Sequence, residues 1–197
     1  ANTEGSANTA IGWRALVSNT IGQVNTAVGM SALGSNVNGS NNVAMGGSAL
    51  GSNSSGSINI AIGDNSLASN DTGSTNVAIG GAAMYANVFG VGNTALGTNA
   101  LHLNTAGSYN VAIGLHAGSN VTAGSNNVYL GFNAVGDGDE SNTMRLGASQ
   151  TRSFVAGVVG TTTDLSDAIP VMIDSAGQLG TVSSSRRFKE DIHDMAD

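Results

Sequence analysis

The chain has 197 residues, with 29 glycines, one proline, 4% aromatic residues, no cysteine and a net charge of −7. So few aromatic residues argue against an ordinary core of large side chains, and the lack of cysteine excludes disulfides and thiolate metal sites. The acidic balance, with no basic stripe, disfavours nucleic acid and anionic membranes as partners. No apolar run of about 18 residues is present, so we expect no membrane insertion. We also expect no cofactor and no bound metal.

A repeat of 17 residues organises the chain from Asn8 to about Asn142. An asparagine recurs without a slip at Asn8, Asn25, Asn42, Asn59, Asn76, Asn93, Asn110 and Asn127. We number each unit from this asparagine, so that Asn59 holds position 1 and Gly63 position 5. Such a fixed period indicates a solenoid, in which each unit buries its apolar face by stacking on its neighbours. The sequence thus predicts a solenoid over residues 1–142. Because residues 1–7 resemble the tail of a preceding unit, we expect the array to extend upstream.

The first strand of each unit has two distinct faces. In the unit of Asn59, the side chains of Ile58, Ile60 and Ile62 share one face of the strand, and those of Asn59 and Ala61 share the other. Alanine holds position 3 in seven of the eight units, whereas a solvent-facing position would vary. We therefore expect both faces to be buried, one inside the coil and one against a sister chain. A glutamate at Ala61 is expected to be disruptive, and one at Ser54 in the polar turn to be tolerated.

The rest of the unit predicts a second short strand and a stacked turn. The step from alanine to leucine at positions 8 and 9, such as Ala49-Leu50, has the composition of a short strand. The glycines and asparagines of the following turn suit positive φ angles. Asparagines stacked from coil to coil are expected to form a hydrogen-bonded ladder along the axis.

The period breaks after Asn142, and a small β connector is predicted over residues 143–182. Residues 143–147 resemble a last strand of the array, and residues 153–160 are typical of a strand of small residues. Residues 169–174 and 178–182 flank a turn and predict a hairpin.

The last segment, residues 183–197, differs sharply in composition. Phe188, Ile192 and Met195 follow a helical spacing after a run of serines that suits an N-cap. The sequence therefore predicts the start of a C-terminal helix here.

Two family resemblances follow from these patterns. The units NTAVGMSALGS and NNVAMGGSALGS resemble the head repeats of trimeric autotransporter adhesins, over about two-thirds of the chain. This resemblance implies a left-handed parallel β-roll, a homotrimer of chains side by side, and an extracellular binding or spacer role. The unit here is longer in its turn than the usual adhesin unit.

The second resemblance lies at the C-terminus, over about 15 residues. The segment SSSRRFKEDI resembles the opening of the intramolecular chaperone domain of phage tail spikes, tail fibres and endosialidases. It implies that Ser184 is a nucleophile and Lys189 its base in a single autocleavage after Ser184. Ser185 stands where the family usually has aspartate. The chain stops where that domain would begin, so we expect the chaperone to be truncated.

Other candidate sites are weaker. His102 and His116 lie at variable positions and are expected to be surface residues. Residues 137–140 resemble the start of a calcium loop, but a solvated turn is favoured. Tyr85 and Phe89 are large residues in a small polar turn, where lateral packing is favoured over contact with a receptor.

Together these patterns predict an all-β, homotrimeric fibre segment with a structural or adhesive role, with a cell-surface receptor or glycan as a candidate partner. We expect it outside the cell, in a virion tail fibre or a bacterial surface fibre, with no enzymatic turnover beyond the autocleavage. One alternative is a hexapeptide-repeat acyltransferase, which needs an aliphatic residue at every sixth position. This register fails, because the residue six positions after Ile62 is Ala68. Another is an ice-binding solenoid, but its threonine array is present only at Thr9, Thr26 and Thr94.

Overall fold

The protein is described from a computed structural model, which covers residues 2–155, 171–173, 175 and 179–180. The chain divides into two compact units, Ala1–Thr151 and Arg152–Asp197, and each is described by itself. The described residues are all-β and contain no helix. Accordingly, this part of the chain has no helix able to cross a membrane. The C-terminal helix predicted over residues 183–197 lies outside the described residues.

The first unit is a parallel β-solenoid of about eight turns, as the repeat predicts. Each strand has three residues and pairs only with the strands before and after it, in one sheet. The strands are β1 Thr9–Ile11, β2 Thr26–Val28, β3 Val43–Met45, β4 Ile60–Ile62, β5 Val77–Ile79, β6 Thr94–Leu96, β7 Val111–Ile113, β8 Val128–Leu130 and β9 Met144–Leu146. From β1 to β8 each residue pairs with the residue 17 positions on, so the sequence period and the coil are the same length.

The asparagine and alanine side chains point into the coil, and the aliphatic side chains of the strand point out. Asn59 and Ala61 are fully buried, whereas Ile60 is 37% exposed and Ile58 is 58% exposed. Alanines at positions 3 and 8 and the leucine at position 9 fill the interior, so the core is built from small columns. The expectation that both faces are buried therefore holds for the inner face, while the aliphatic face is open in the single chain.

The second strand predicted at positions 8 and 9 is wrong, because these residues form a turn. Leu33, Leu50 and Leu67 have φ angles of +49°, +51° and +50°, in the left-handed region that residues other than glycine rarely adopt. This conformation turns the chain sharply and drives the leucine inward, where it is fully buried. Burial of a leucine, worth about 1.5–3 kcal/mol, offsets the backbone strain of about 1–2 kcal/mol.

Two asparagine ladders run along the solenoid, which confirms the predicted stacking. At position 12, the amide of Asn36 donates to Oδ1 of Asn19 one coil below, with Nδ2 and Oδ1 2.7 Å apart. At position 1, the backbone N–H of Asn42 donates to Oδ1 of Asn25 at 3.0 Å. The Nδ2 groups of both Asn25 and Asn36 also donate to the carbonyl of Gly39 at 2.9 Å. The buried amides of these coils are therefore satisfied within a single network.

Glycine at position 5 is required by the close approach of successive coils. These glycines have φ between +119° and +139° from Gly12 to Gly131. A Cβ on Gly12 would lie 2.6 Å from the carbonyl oxygen of Gly29 in the next coil, which no side chain tolerates.

The C-terminal end of the solenoid is closed by a polar cluster, here called the cap, formed by Tyr129, Glu140 and Arg145. Tyr129 takes the place of the alanine at position 3, and its hydroxyl donates to Oε1 of Glu140 at 2.7 Å. Arg145 in β9 donates to the same carboxylate from Nε at 3.0 Å and from Nη2 at 2.6 Å. Asp137, with a 91% exposed side chain, lies 3.4 Å from Arg145.

The interior changes in step with the cap. Gly118 replaces the leucine of position 9, and a Cβ there would lie 2.7 Å from Cδ2 of Tyr129. Val121 replaces the asparagine of position 12, so the ladder ends and Oδ1 of Asn104 has no hydrogen-bond partner among the described residues. The last coil is also one residue shorter, because Val128 pairs with Met144. The columns at positions 3, 9 and 12 are thus altered together where the array ends.

Burial and hydrogen bonding inside the cap shift the pKa values of Glu140 and Tyr129. Burial acts to raise the pKa of Glu140, but the hydrogen bonds from Arg145 and Tyr129 outweigh it and hold that pKa below its ordinary value. Burial, and then the hydrogen bond to Glu140, raise the pKa of Tyr129 well above its usual range. Glu140 is therefore ionised and Tyr129 neutral at pH 7.

The second unit contains an antiparallel pair, β10 Met172–Ile173 and β11 Leu179–Gly180. This pair lies within the hairpin predicted for residues 169–182, the other parts of which are mostly outside the described residues. No strand is formed over residues 153–155, and the rest of the strand predicted there lies outside the described residues.

Replacing Ala61 with glutamate is predicted to unfold the array. The carboxylate would have to enter a fully buried site sized for a methyl group, at a loss of about 3 kcal/mol or more. The matched control is Ser52→Glu, on an exposed turn of the preceding unit. Ser54 is a poorer control than the sequence suggests, since its hydroxyl contacts the carboxylate of Asp71. Urea denaturation followed by circular dichroism checks this, and equal losses in both variants would refute the assignment of inner and outer faces.

Replacing Glu140 with glutamine is predicted to loosen the last coil at pH 7 but not in acid. A carboxylate with a lowered pKa stabilises the fold above its unfolded pKa of about 4.3 and loses this effect as pH falls through the folded value. Removing the charge leaves Arg145 without its buried partner, an expected loss of about 1–3 kcal/mol.

Hydrogen exchange of the amides in β8 measures this local opening. The wild type should be better protected than Glu140→Gln at pH 7, and the difference should diminish as the pH falls below about 4.3, once exchange rates are corrected for pH. The exposed partner Asp137, changed to asparagine, should have little effect. A difference that persists unchanged in acid would show that ionisation of Glu140 is not what closes the end.

Candidate assembly face

One side of the solenoid is a continuous apolar surface, here called the strand face. It consists of the outward side chains at positions 2 and 4 of the strands. The position 2 residues are Thr9, Thr26, Val43, Ile60, Val77, Thr94, Val111 and Val128, followed by Met144. The position 4 residues are Ile11, Val28, Met45, Ile62, Ile79, Leu96, Ile113 and Leu130, followed by Leu146. No charged residue interrupts either row.

The strand face is open to solvent in the single chain. Met45 is 43% exposed, Ile79 36% and Ile113 42%, and the residues between them are partly exposed. A neighbouring column at position 17 adds Ile58 and Tyr109, which are 58% and 64% exposed. Aliphatic side chains repeated in register on a flat sheet form a surface that favours another apolar surface over water.

The area of the strand face limits the size of the interface that it can form by itself. Eight coils at about 4.8 Å each make it roughly 40 Å tall, and two columns of side chains make it about 10 Å wide. The resulting area of roughly 400 Å² is at the size of the largest apolar patch on an ordinary monomer. It is about half of what one partner contributes to a standard interface of roughly 800 Å² a side. A stable interface would therefore have to include the flanking columns as well.

The flanking column is shaped around one aromatic ring. Tyr109 lies at position 17, where the preceding unit has Gly92. A Cβ on Gly92 would lie 2.9 Å from Cδ1 of Tyr109, so glycine at this point leaves space for the ring. Sequence reasoning missed this pair, although a lone glycine in a column of larger residues is a readable signal.

The residues that the sequence suggested for catalysis or binding lie in different parts of the chain. Ser184 and Lys189 lie outside the described residues, so their role stays a prediction. His102 is a surface residue with a partner, since its ring stacks on Tyr85 and its Nδ1 lies 3.2 Å from the carbonyl oxygen of Ala82. His116 is half-buried in the turn of its unit, and Phe89 is 59% exposed.

Glu140, the last residue of the acidic segment 137–140, belongs to the cap. The side chain of Glu140 is only 12% exposed and is engaged by Tyr129 and Arg145. Within the part of the chain that the structure describes, no group of three or more acidic, histidine or cysteine side chains is placed to hold a metal ion. Sequence reasoning missed the cap, although Tyr129 breaks a column of alanines and Gly118 breaks a column of large aliphatic residues.

Comparison with known proteins finds no protein-family model that matches the chain, no similar curated protein and no similar solved structure. The functional assignment therefore depends on the solenoid and its surfaces.

Proposed function

We propose that the chain is a structural and adhesive segment of an extracellular fibre, in which three copies of a left-handed β-roll pack side by side. The fibre is a phage-type tail fibre or a related bacterial surface fibre. The observation that carries this proposal is the strand face, with 15 apolar residues, three threonines and no charge. A face of this kind is unfavourable on an isolated chain and becomes favourable when sister chains cover it.

Threefold packing suits the dimensions of the strand face. In a closed ring of three, every chain makes two contacts, and each contact draws on the strand face together with a flanking column. The column at position 17, with Val24, Ile58 and Tyr109 exposed, supplies the additional apolar area that the strand face lacks. An acidic chain with few charges on this side has nothing that would repel a sister copy there.

Placing two lysines on the strand face is predicted to dissociate the assembly while leaving each solenoid folded. Ile79→Lys combined with Ile113→Lys puts charges at outward positions that water reaches in a single chain but not in the assembled fibre. Multi-angle light scattering should change from three chains per particle to one, with an unchanged circular dichroism spectrum.

The matched control is Thr72→Lys combined with Ala106→Lys, two exposed turn positions in the same stretch of the array. This variant should stay trimeric. A wild-type particle of one chain with the array folded would end the proposal of a fibre built by lateral packing.

We infer that the C-terminal segment opens an assembly chaperone that is released by autocleavage. Ser184 is the nucleophile and Lys189 the base, by resemblance to the chaperone family. A lysine acts as a base only where burial or nearby positive charge, such as that of Arg186 and Arg187, lowers its pKa. That environment requires a complete chaperone domain packed in a trimer.

A protein that carries the whole chaperone domain is therefore predicted to release a C-terminal fragment that begins at Ser185, whereas the 197-residue chain should remain intact. Intact-mass spectrometry measures both. Ser184→Ala and Lys189→Ala should each abolish release, and Ser183→Ala should not. If the wild type with the whole domain present stays uncleaved, this protein keeps its chaperone. Ser185, which stands where the family has aspartate, would then mark a variant of the family that is not cleaved.

A further inference from the structure

Asn38, in the turn of the second unit, is the only asparagine of the chain that is followed directly by glycine. The backbone nitrogen of the residue after an asparagine can reach the side-chain carbonyl carbon and close a five-membered ring. Glycine favours this reaction, because it has no side chain to hinder its own nitrogen. In the other units the glycine of position 15 follows Ile21, Ser55, Thr72, Phe89, Ala106 or Ala123.

The Asn38 side chain is free to take part in such a reaction. It is exposed and makes no hydrogen bond to any described residue. Asn36, two residues earlier, is fully buried, and its Nδ2 donates to Oδ1 of Asn19 at 2.7 Å and to the carbonyl of Gly39 at 2.9 Å. The ladder therefore holds the carboxamide of Asn36 in place, whereas that of Asn38 can rotate toward the nitrogen of Gly39.

The nitrogen of Gly39 is also unengaged in the part of the chain that the structure describes. In the third unit the equivalent N–H, that of Gly56, donates to the carbonyl of Asp71 in the next coil at 3.1 Å. In the second unit the corresponding carbonyl, that of Ser54, accepts from Asn38 but not from Gly39. The proton that has to leave this nitrogen is therefore not held by an acceptor.

Ser40 favours loss of that proton. Its hydroxyl donates to the carbonyl oxygen of Asn38, with Oγ and O 3.4 Å apart. This oxygen belongs to the same peptide group as the N–H of Gly39. A donor at the oxygen stabilises the negative charge that the peptide group gains when its nitrogen is deprotonated.

We propose that Asn38 is a site of spontaneous deamidation in the folded chain, and that one of the products opens the second coil. Hydroxide removes the proton from the nitrogen of Gly39, and this nitrogen attacks Cγ of Asn38. The bond from Cγ to Nδ2 breaks, and Nδ2 leaves as ammonia after taking a proton from water. The succinimide ring that remains is opened by water at either carbonyl, which gives aspartate or isoaspartate. Loss of ammonia makes the change irreversible.

The isoaspartyl product alters the backbone at a point that both asparagine columns share. In this product the chain runs through the former side chain, which adds a backbone atom just before Gly39. The carbonyl of Gly39 accepts from Nδ2 of Asn25 and of Asn36, each at 2.9 Å, and both side chains are fully buried. A Cβ on Gly39 would clash with the carbonyl oxygen of Gly56, so the coil has no space to absorb a displacement.

The two products therefore have different effects. The isoaspartyl product leaves two buried amides without their acceptor unless the coil opens to water. The aspartyl product keeps the length of the backbone and adds one charge to an exposed turn, where it is tolerated. This inference concerns a single chain and does not rest on assembly into a fibre.

Intact-mass spectrometry of the 197-residue chain, incubated in native buffer, tests the modification. The wild type should gain the mass that accompanies conversion of an amide into an acid, and faster at alkaline than at neutral pH, because the nitrogen must be deprotonated. Peptide mapping should locate the change at Asn38. Asn38→Gln, whose longer side chain would have to close a larger ring, should lose the mass gain with an unchanged circular dichroism spectrum.

Asn65 is the control within the same chain. Its Nδ2 donates to Oδ2 of Asp64 at 2.7 Å, and the N–H of the following Ser66 donates to the carbonyl of Gly63 at 3.3 Å. Asn65 should keep its amide over the same time. The proposal is overturned if the native chain keeps its mass while the chain unfolded in urea gains mass at Asn38, since the fold would then protect this residue.

Hydrogen exchange tests the opening of the coil. In the isoaspartyl chain, separated by ion exchange, the amide of Thr26, which donates to Asn42 in the next coil, should lose protection. The amide of Thr94, four coils away, should not. Asn38→Asp supplies the aspartyl product by itself and should be protected like the wild type. Equal protection of Thr26 in the isoaspartyl chain and in Asn38→Asp would refute the opening.

Discussion

The solenoid depends on keeping buried amide groups hydrogen-bonded in a coil too thin for a conventional core. Most coils bring two asparagines inside, and an unpaired buried amide would lose about 1–3 kcal/mol. The structure avoids this loss by directing both side chains to a single acceptor, the position 15 carbonyl, and by linking each asparagine to the next coil. The glycine at that position follows from the ladder. A Cβ on Gly22 would lie 2.7 Å from Nδ2 of Asn36.

The ladder also explains why the apolar face points outward. With asparagine, alanine and the leucine of position 9 already filling the interior, the coil has no room for the larger side chains of the strand as well. The valines, isoleucines and methionines therefore lie outside, in columns set by the strict pairing of the strands. One constraint thus produces both a polar, ordered interior and an exterior that favours contact with other apolar surfaces.

Much of the fold could be predicted from the sequence, because a 17-residue period directly specifies the length of a coil. The strand positions, the pairing register and the asparagine ladder all follow from it. The direction of each face could not be predicted, since alternation distinguishes two faces of a strand without saying which is inside. The turn at Leu33 was also missed, because a leucine with positive φ contradicts local propensity and forms only where the coils on either side hold it.

The surfaces were harder to predict than the fold for a related reason. Trp13, Ser35 and Gly51 are far apart in the sequence, and only the stacking of coils places them around one pocket. Substitution in such an array is tolerated where a column faces solvent and is forbidden where it faces the ladder. Variation is therefore directed to positions 6, 10, 11 and 14, which are outside the core. An array of this design can change its surface one residue at a time, because the interactions that fold it are in other columns.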